Sequence, residues 1–333
     1  MRQSSLPILA AASILGLASG CTEEVPETPY ASVTEVGQSS DGRLIVAGYS
    51  TPCECEPHRG FIEFLDADDN LEDFVSRLQA GEISEETTLP PIWSVAECEE
   101  GEFVGATGSW LGYGVARGPS WDIEELGGEW ILVSIAANAC DDMIAVGRYP
   151  ADSDYADEGV VATYDGSNWS LADTPEGLPA LASVWVGTVG TFAVGDEGTV
   201  LSFDGEAWNL VDVPTEVDLR TIWGTDDRLF VAGGANDGDY AILQYFEDEW
   251  TVVGEGEGIL LGMDGRAIDD IFAVGGEEDT SSDELSCMAL HFDGSEWDSV
   301  DCGSTHYLWD VVTLSNGRTV GGGPDATLVE LVD

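Results

Sequence analysis

The sequence predicts an all-β chain folded as a β-propeller, with seven blades of mostly four antiparallel strands, and three observations predict it. Short apolar runs end in glycine seven times, at Gly48, Gly105, Gly147, Gly195, Gly233, Gly275 and Gly321, at intervals of 38 to 57 residues. An aromatic residue, a tight turn and a Trp recur as Tyr164 to Trp169, Phe203 to Trp208 and Phe292 to Trp297, with a shorter form from Phe246 to Trp250. Hydrophobic residues make up 43% of the chain and 11 are Trp, enough to fill a core despite a formal net charge of -55. A repeat of about 45 residues is one antiparallel sheet, which must bury its faces on its neighbours.

The amino terminus comes first. Met1 and Arg2 precede an apolar stretch from Leu6 to Leu17 and then Ala18-Ser19-Gly20-Cys21. That is the layout of an export signal, too short to span a bilayer. The Gly20-Cys21 end resembles the lipobox of bacterial lipoproteins, although Ala18 stands where that family usually places leucine. The resemblance implies cleavage between Gly20 and Cys21, lipid on Cys21 and, with Thr22 next, an outer-membrane lipoprotein. Whether the periplasmic or the surface side is served is open. Residues 21–31, with Pro26 and Pro29, form the lipidated end and a polar tether.

The propeller is expected over 32–333, with repeats near 32–89, 90–128, 129–178, 179–216, 217–256, 257–304 and 305–333. The fourth is the best formed: Leu181 to Thr188, Thr191 to Gly195, Thr199 to Phe203 and Trp208 to Val213 are β-rich runs broken by Gly or Asp. The first contains a departure. Asn70 to Gly81 offers an N-cap, early acids, apolar residues at helical spacing and a terminal glycine, so one short helix is predicted near 71–80, before an outer strand. The last repeat stops after Val332, so the ring closes with a strand borrowed from Glu24 to Tyr30, or its last blade has three strands, or it has a different blade count. The turn Trp residues should open fourth strands, and Trp93, Trp185, Trp223 and Trp309 should fall in first strands as core.

The Gly-Gly doublets Gly233-Gly234 and Gly275-Gly276, followed by an aromatic and then a Trp, together with the doublet Gly321-Gly322, resemble the kelch repeat of galactose-oxidase-type propellers. The chain is also similar to the Trp-Gly, Val-Gly, Tyr-Asp-Gly repeats of secreted bacterial propeller lipoproteins. That group implies location and fold and no shared activity.

Lysine is absent, and 10 Arg face 65 Asp and Glu. Such a surface repels phosphate backbones, which excludes nucleic acid as a partner. It suits solubility in high salt, where screening shortens to about 3 Å at molar concentration.

With Cys21 assigned to lipid, six cysteines remain in an exported chain, which suggests disulfides. If Phe292 faces Trp297 across its turn, the same register sets Cys287 opposite Cys302. Cys98 and Cys140 are 42 residues apart, as are Gly105 and Gly147, so a bridge between adjacent blades follows. Cys53 and Cys55 are left in Cys53-Glu54-Cys55-Glu56-Pro57-His58, as a local or loop-tying disulfide or, under reducing conditions, as soft-metal ligands with His58. The disulfide is preferred, and no metal site is assigned.

Enzyme signatures are missing. His58, His291 and His306 form no helical metal pair, and there is no nucleophile elbow. Asp66-Ala67-Asp68-Asp69-Asn70 lacks the Gly and Glu of a calcium loop and reads as a polar turn. No cofactor is implied beyond weak calcium binding in loops such as Asn236-Asp237-Gly238-Asp239. The sequence therefore points to a non-enzymatic, lipid-anchored interaction module of the cell envelope with a protein or glycan partner. A propeller-type carbohydrate-active hydrolase or lyase, needing two close carboxylates in a deep central pocket, is the alternative. The ligand-binding rim falls on the loops between second and third strands and between blades: His58, Arg59, Trp110, Tyr113, Tyr149, Tyr155, Tyr240, His306 and Tyr307.

Overall fold

The computed structural model describes residues 30–51, 59–66, 69–80, 89–109, 112–117, 122–125, 130–150, 157–235, 238–278 and 285–332. Within them, seven antiparallel sheets follow one another along the chain. Sheet one is Tyr30–Gln38, Leu44–Thr51 and Arg59–Leu65. Sheet two is Ile92–Glu99, Glu102–Ser109, Gly112–Arg117 and Asp122–Glu125. Sheet three is Ile131–Ala139, Asp142–Arg148, Gly159–Tyr164 and Trp169–Leu171. Sheet four is Leu181–Gly187, Gly190–Gly195, Val200–Phe203 and Trp208–Leu210. Sheet five is Leu219–Gly224, Leu229–Gly233, Asp239–Phe246 and Glu249–Glu257. Sheet six is Ile259–Ala267, Asp270–Glu278, Leu285–Phe292 and Trp297–Ser299. Sheet seven is Asp310–Thr313, Thr319–Gly322 and Leu328–Leu331.

Each first strand touches the first strand of the next sheet, and that of sheet seven touches that of sheet one, so the first strands ring an axis. Apolar clusters fill the seams. Val146, Val161 and Leu201 join sheets three and four, and Phe230, Ile242 and Leu260 join sheets five and six. The fold is an all-β propeller with one helix. Blades of mostly four strands are the expectation, and the sheets at the two ends of the described chain depart from it. Sheets one and seven have three strands among the described residues, so the complete four-stranded meander is made five times.

The turn motif is explained residue by residue. In Tyr164 to Trp169 the carboxylate of Asp165 accepts the amides of Ser167 at 2.9 Å and Asn168 at 2.8 Å, while Gly166 takes φ 87°. Tyr164 then faces Trp169 in register, with ring centroids 5.3 Å apart. Phe203 with Trp208 and Phe292 with Trp297 repeat that pairing. The shorter turn of sheet five sets Glu247 and Asp248 both at positive φ, the two-residue hairpin form, and still pairs Tyr245 with Trp250.

The strand-ending glycines have a common cause. In sheets one to six the first strand carries a one-residue bulge, as between Leu219 and Thr221, which presses the preceding carbonyl against the second strand. A Cβ on Gly233 would lie 1.9 Å from the Asp218 oxygen, and one on Gly275 1.9 Å from that of Ile259. Register corrects two of the seven marks. The residue paired at this position in sheet two is Thr107, opposite Ile92, and in sheet seven the crowded glycine is Gly323, under the Tyr307 carbonyl, so Gly105 and Gly321 each sit two residues early.

The helix is Leu71–Gln79, capped by Asn70, whose side chain accepts the Glu72 amide at 2.9 Å. Its buried Leu71, Phe74 and Leu78 pack with Val33 of sheet one and Val312, Val320 and Leu328 of sheet seven. The helix therefore plugs the joint between the two ends of the ring. Residues 81–88 and 1–29, where an outer strand and a borrowed strand were expected, lie outside the described residues. Hydrogen bonds complete the joint: Val33 donates to the Gly323 carbonyl at 3.0 Å and Ala326 to that of Ala31 at 2.7 Å. Side chains add Gln38, which exchanges two 3.1 Å bonds with Ser315.

Candidate functional site: the axial cavity

The bulge that explains the glycines also builds the site. Just after it come Glu35, Ser94, Ser134, Ser183, Thr221 and Gly262 in sheets one to six, and Asp310 opens the first strand of sheet seven. An apolar residue follows each time, as in Val184, Ile222 and Met263. Apart from Gly262, these residues line a cavity of about 430 Å³ on the axis.

Several of these polar residues are bound to the next sheet. Ser94 Oγ accepts the Ile135 amide at 3.4 Å, and Ser134 Oγ accepts the Val184 amide at 3.2 Å. Glu35 accepts the Val95 amide, and Asp310 Oδ2 accepts the Val36 amide at 3.0 Å, which carries the pattern across the joint from sheet seven to sheet one. In sheet six the position is Gly262, where a Cβ would come within 2.6 Å of the Asp310 Cα. Its role passes two residues on to Asp264, whose Oδ2 accepts the Thr313 amide at 2.6 Å. The Trp223 indole also donates to Asp264.

Three carboxylates, from sheets one, six and seven, thus gather on one side of the cavity. Burial pushes Asp310 up to about 7, against the pull of the Val36 and Val311 amides, and the negative charge of Asp264 adds to the rise. Burial likewise raises Asp264 to about 6, and raises Glu35 well above its ordinary value with repulsion from Asp310 assisting. All three keep part of their surface on the cavity. Further round the ring, sheets four and five present Ser183 and Thr221, whose hydroxyls have no hydrogen-bond partner among the described residues. Thr313 Oγ1, on a residue of the wall, is buried without a partner among the described residues. Among the described residues, no basic side chain lines the cavity.

Arg220, the bulge residue of sheet five, turns away from this lining, with Nη1 2.6 Å from Asp196 and Nη2 2.7 Å from Asp218. Among the described residues, the metal-competent groups that converge to within 4.8 Å are Cys98, Glu102 and Cys140, and the two sulfurs there are bonded to each other. Cys98–Cys140 ties sheets two and three with Cα atoms 4.8 Å apart, and Cys287–Cys302 closes the hairpin of sheet six at 6.1 Å. Both are the pairs drawn from repeat phase and register. His291 lies in its strand, stacked on Phe272 and 2.9 Å from Asp270.

The rim residues spread over several sheets. Tyr240, at the start of the third strand of sheet five, packs over Gly256, where a Cβ would come within 2.6 Å of its ring, and burial raises its hydroxyl. His306 lies 3.6 Å from Asp325, Tyr307 meets Trp309 edge-on at 6.0 Å, and Tyr149 packs in the core between sheets two and three. Arg59 is exposed at the start of its strand, and Tyr113 is placed in the third strand of sheet two. None of these lines the axial cavity. Gly20, Cys21, Cys53, Cys55, His58, Trp110, Tyr155, Asn236 and Asp237 lie outside the described residues.

Among solved structures, YCF48 bound to D1 peptide is similar at a TM-score of 0.57 and 12% identity, over 91% of this chain and 92% of that one. The fold is shared. This chain is a β-propeller. The GH74 xyloglucanase of Xanthomonas campestris is similar at 0.56 and 11% identity, over 90% of this chain and 51% of that one, and the computationally designed Ika8 protein at 0.54 and 11%, over 90% and 82%. No family model and no curated protein matches the sequence. At these identities the propeller likeness is one of fold alone.

The sequence reading missed Glu35, Asp264 and Asp310 because each is one acid among 65. A signal for two of them was present. Glu35-Val36, Ser94-Val95, Ser134-Ile135, Ser183-Val184, Thr221-Ile222 and Asp310-Val311 form one column of polar residue then branched apolar residue, in which acids replace hydroxyls at the two ends of the chain.

Proposed function

We propose that the chain is a binding module held at the bacterial envelope by lipid on Cys21, and that it takes a ligand group into the axial cavity while the rim residues contact the rest of a protein or glycan partner. The supporting observation is the split among the polar groups of the cavity. Glu35, Asp264 and Asp310 are engaged by amides of the next sheet, which fixes them in place, while the hydroxyls of Ser183 and Thr221 and the remaining carboxylate oxygens are available for hydrogen bonds. A fold neighbour carrying a bound peptide is consistent with this reading. Two tests apply. Cys21→Ser should move the protein from the membrane fraction to the soluble fraction, and Thr221→Val should weaken capture on peptide and glycan arrays while Tm stays close to wild type. Retention in the membrane, or unchanged capture, would count against the anchor or the axial site respectively.

A carbohydrate-active hydrolase is the second reading, supported by the interacting pair Glu35 and Asp310, one of which holds its proton near neutrality as a general acid must. It predicts polysaccharide cleavage that is lost in both Glu35→Gln and Asp310→Asn. The binding reading predicts no turnover in wild type.

A further inference from the structure

We propose that the axial cavity is a site for an organic cation, an alkylguanidinium or alkylammonium group such as ends an arginine or lysine side chain. This rests on the reading that the ligand enters the axis. Three carboxylates line one side of the cavity and, among the described residues, no basic one lines any part of it, so their charge has no fixed counter-ion among those residues. Thr221, on the sheet beside that of Asp264, is more than nine-tenths buried and its hydroxyl has no partner among the described residues; Thr313, equally buried and bonded through its amide to Asp264, has an Oγ1 without a partner among the described residues. Donors arriving on a ligand would find carboxylate oxygens with hydroxyls beside them on a mostly polar wall.

A single metal ion fits less well. Metal ligands must close to roughly 2.0 to 2.6 Å around one centre, and the oxygens of Glu35, Asp264 and Asp310 are not among the described groups that converge to within 4.8 Å. A guanidinium spreads its five donors over a plane and reaches separated acceptors. A net charge of -55 would speed the approach of such a group. The titratable groups facing the site are Glu35 from sheet one, Asp264 from sheet six and Asp310 from sheet seven; sheets two to five present Ser94, Ser134, Ser183 and Thr221. A bound cation favours the ionised carboxylates. Affinity therefore rises as pH increases through about 6 and about 7, and binding below that range releases protons.

The test is calorimetric titration of the full chain with agmatine and with arginine amide at pH ~8 and pH ~5. We expect one saturable site at the higher pH, weakened at least about tenfold at the lower pH and in Asp264→Asn/Asp310→Asn. The exposed control Glu206→Gln/Asp298→Asn, which removes the same charge, should bind as wild type does. Equal weakening in the control, or no saturable site, would overturn the proposal, as would calcium competing through the same two aspartates with higher affinity. Should the double variant fail to fold, proton release by wild type in buffers of different ionisation heat decides instead, and absence of release overturns it. If neither cation binds but a neutral peptide or oligosaccharide does, and Thr221→Val abolishes that binding, the cation class fails while the axial site stands. If nothing binds, both fail.

Discussion

The joint between sheets seven and one is made differently from the joint between sheets three and four. At the latter, the short run from Leu171 to Leu181 tethers the sheets, and a neutral hydroxyl, Ser134, takes the Val184 amide at 3.2 Å. At the former, the sheets come from opposite ends of the described chain, a carboxyl group takes the equivalent Val36 amide at 3.0 Å, and the helix Leu71–Gln79 covers the apolar seam. Bringing distant segments together costs more chain entropy than packing neighbours. The ends are accordingly joined by Asp310, the Gln38 and Ser315 pair and a dedicated helix. The same substitution also makes the cavity acidic on that side, so closure of the ring and chemistry of the site share residues.

The comparison can be broken first at its backbone. Gly275→Ala places a Cβ 1.9 Å from the Ile259 carbonyl in a complete sheet, whereas Gly323→Ala meets the Tyr307 carbonyl at 2.6 Å in the terminal one. We expect losses of at least about 3 kcal/mol and about 1–2 kcal/mol respectively in urea unfolding, because overpacking scales with how far the neighbour must move. Equal losses would mean that the terminal sheet is packed as tightly as the others.

Covalent support comes next. Removing Cys287–Cys302 by a double Ser substitution should lower stability by about 3 kcal/mol, the value for a closed loop of some 15 residues. The bond sits in the sheet that precedes the joint, so amide exchange at Val33 and Ala326 should quicken with it more than exchange at Val184.

The third prediction separates the joints by pH. Asp310 and Asp264 have folded-state values of about 7 and about 6, above the ordinary carboxyl value of about 3.9. The native state therefore binds more protons than the unfolded chain between those limits. The stability they contribute is full below pH about 4 and is lost as pH rises through about 6 and then about 7. Asp310→Asn keeps an acceptor for the Val36 amide and should show a smaller fall in urea midpoint over that range than wild type. An identical fall in both would remove the carboxylate from the account.

The smallest effect is expected at Trp223, whose indole donates to Asp264. Trp223→Phe keeps most of the packing and should cost about 1 kcal/mol. It should also raise the Asp264 value, since a donor to the ionised form is gone. A fall in that value would contradict the assignment.

Much of the architecture was readable because it is repeated. The aromatic facing Trp across each turn, and with it Cys287 opposite Cys302, follows from period-two geometry that any antiparallel hairpin obeys. The helix was readable from Asn70 and the spacing of Leu71, Phe74 and Leu78, but its place over the joint was not, since nothing local says which seam an amphipathic face will cover. Phase failed at Gly105 and Gly321, because a glycine two residues away satisfies the same strand pattern and only the bulge register tells them apart. The axial carboxylates were hidden for a related reason. Glu35 and Asp310 become visible once the bulge aligns them with Ser94, Ser134, Ser183 and Thr221, and Asp264 stands two residues beyond that column, displaced by the close approach of the Asp310 backbone to Gly262.

The most direct measurement is the carboxyl carbon titration of Asp310 and Asp264 by NMR, assigned from difference spectra with Asp310→Asn and Asp264→Asn. The account predicts midpoints near 7 and 6 in wild type, both moving down when agmatine is added. Midpoints near the ordinary carboxyl value, unmoved by agmatine, would contradict a desolvated acidic lumen at the axis.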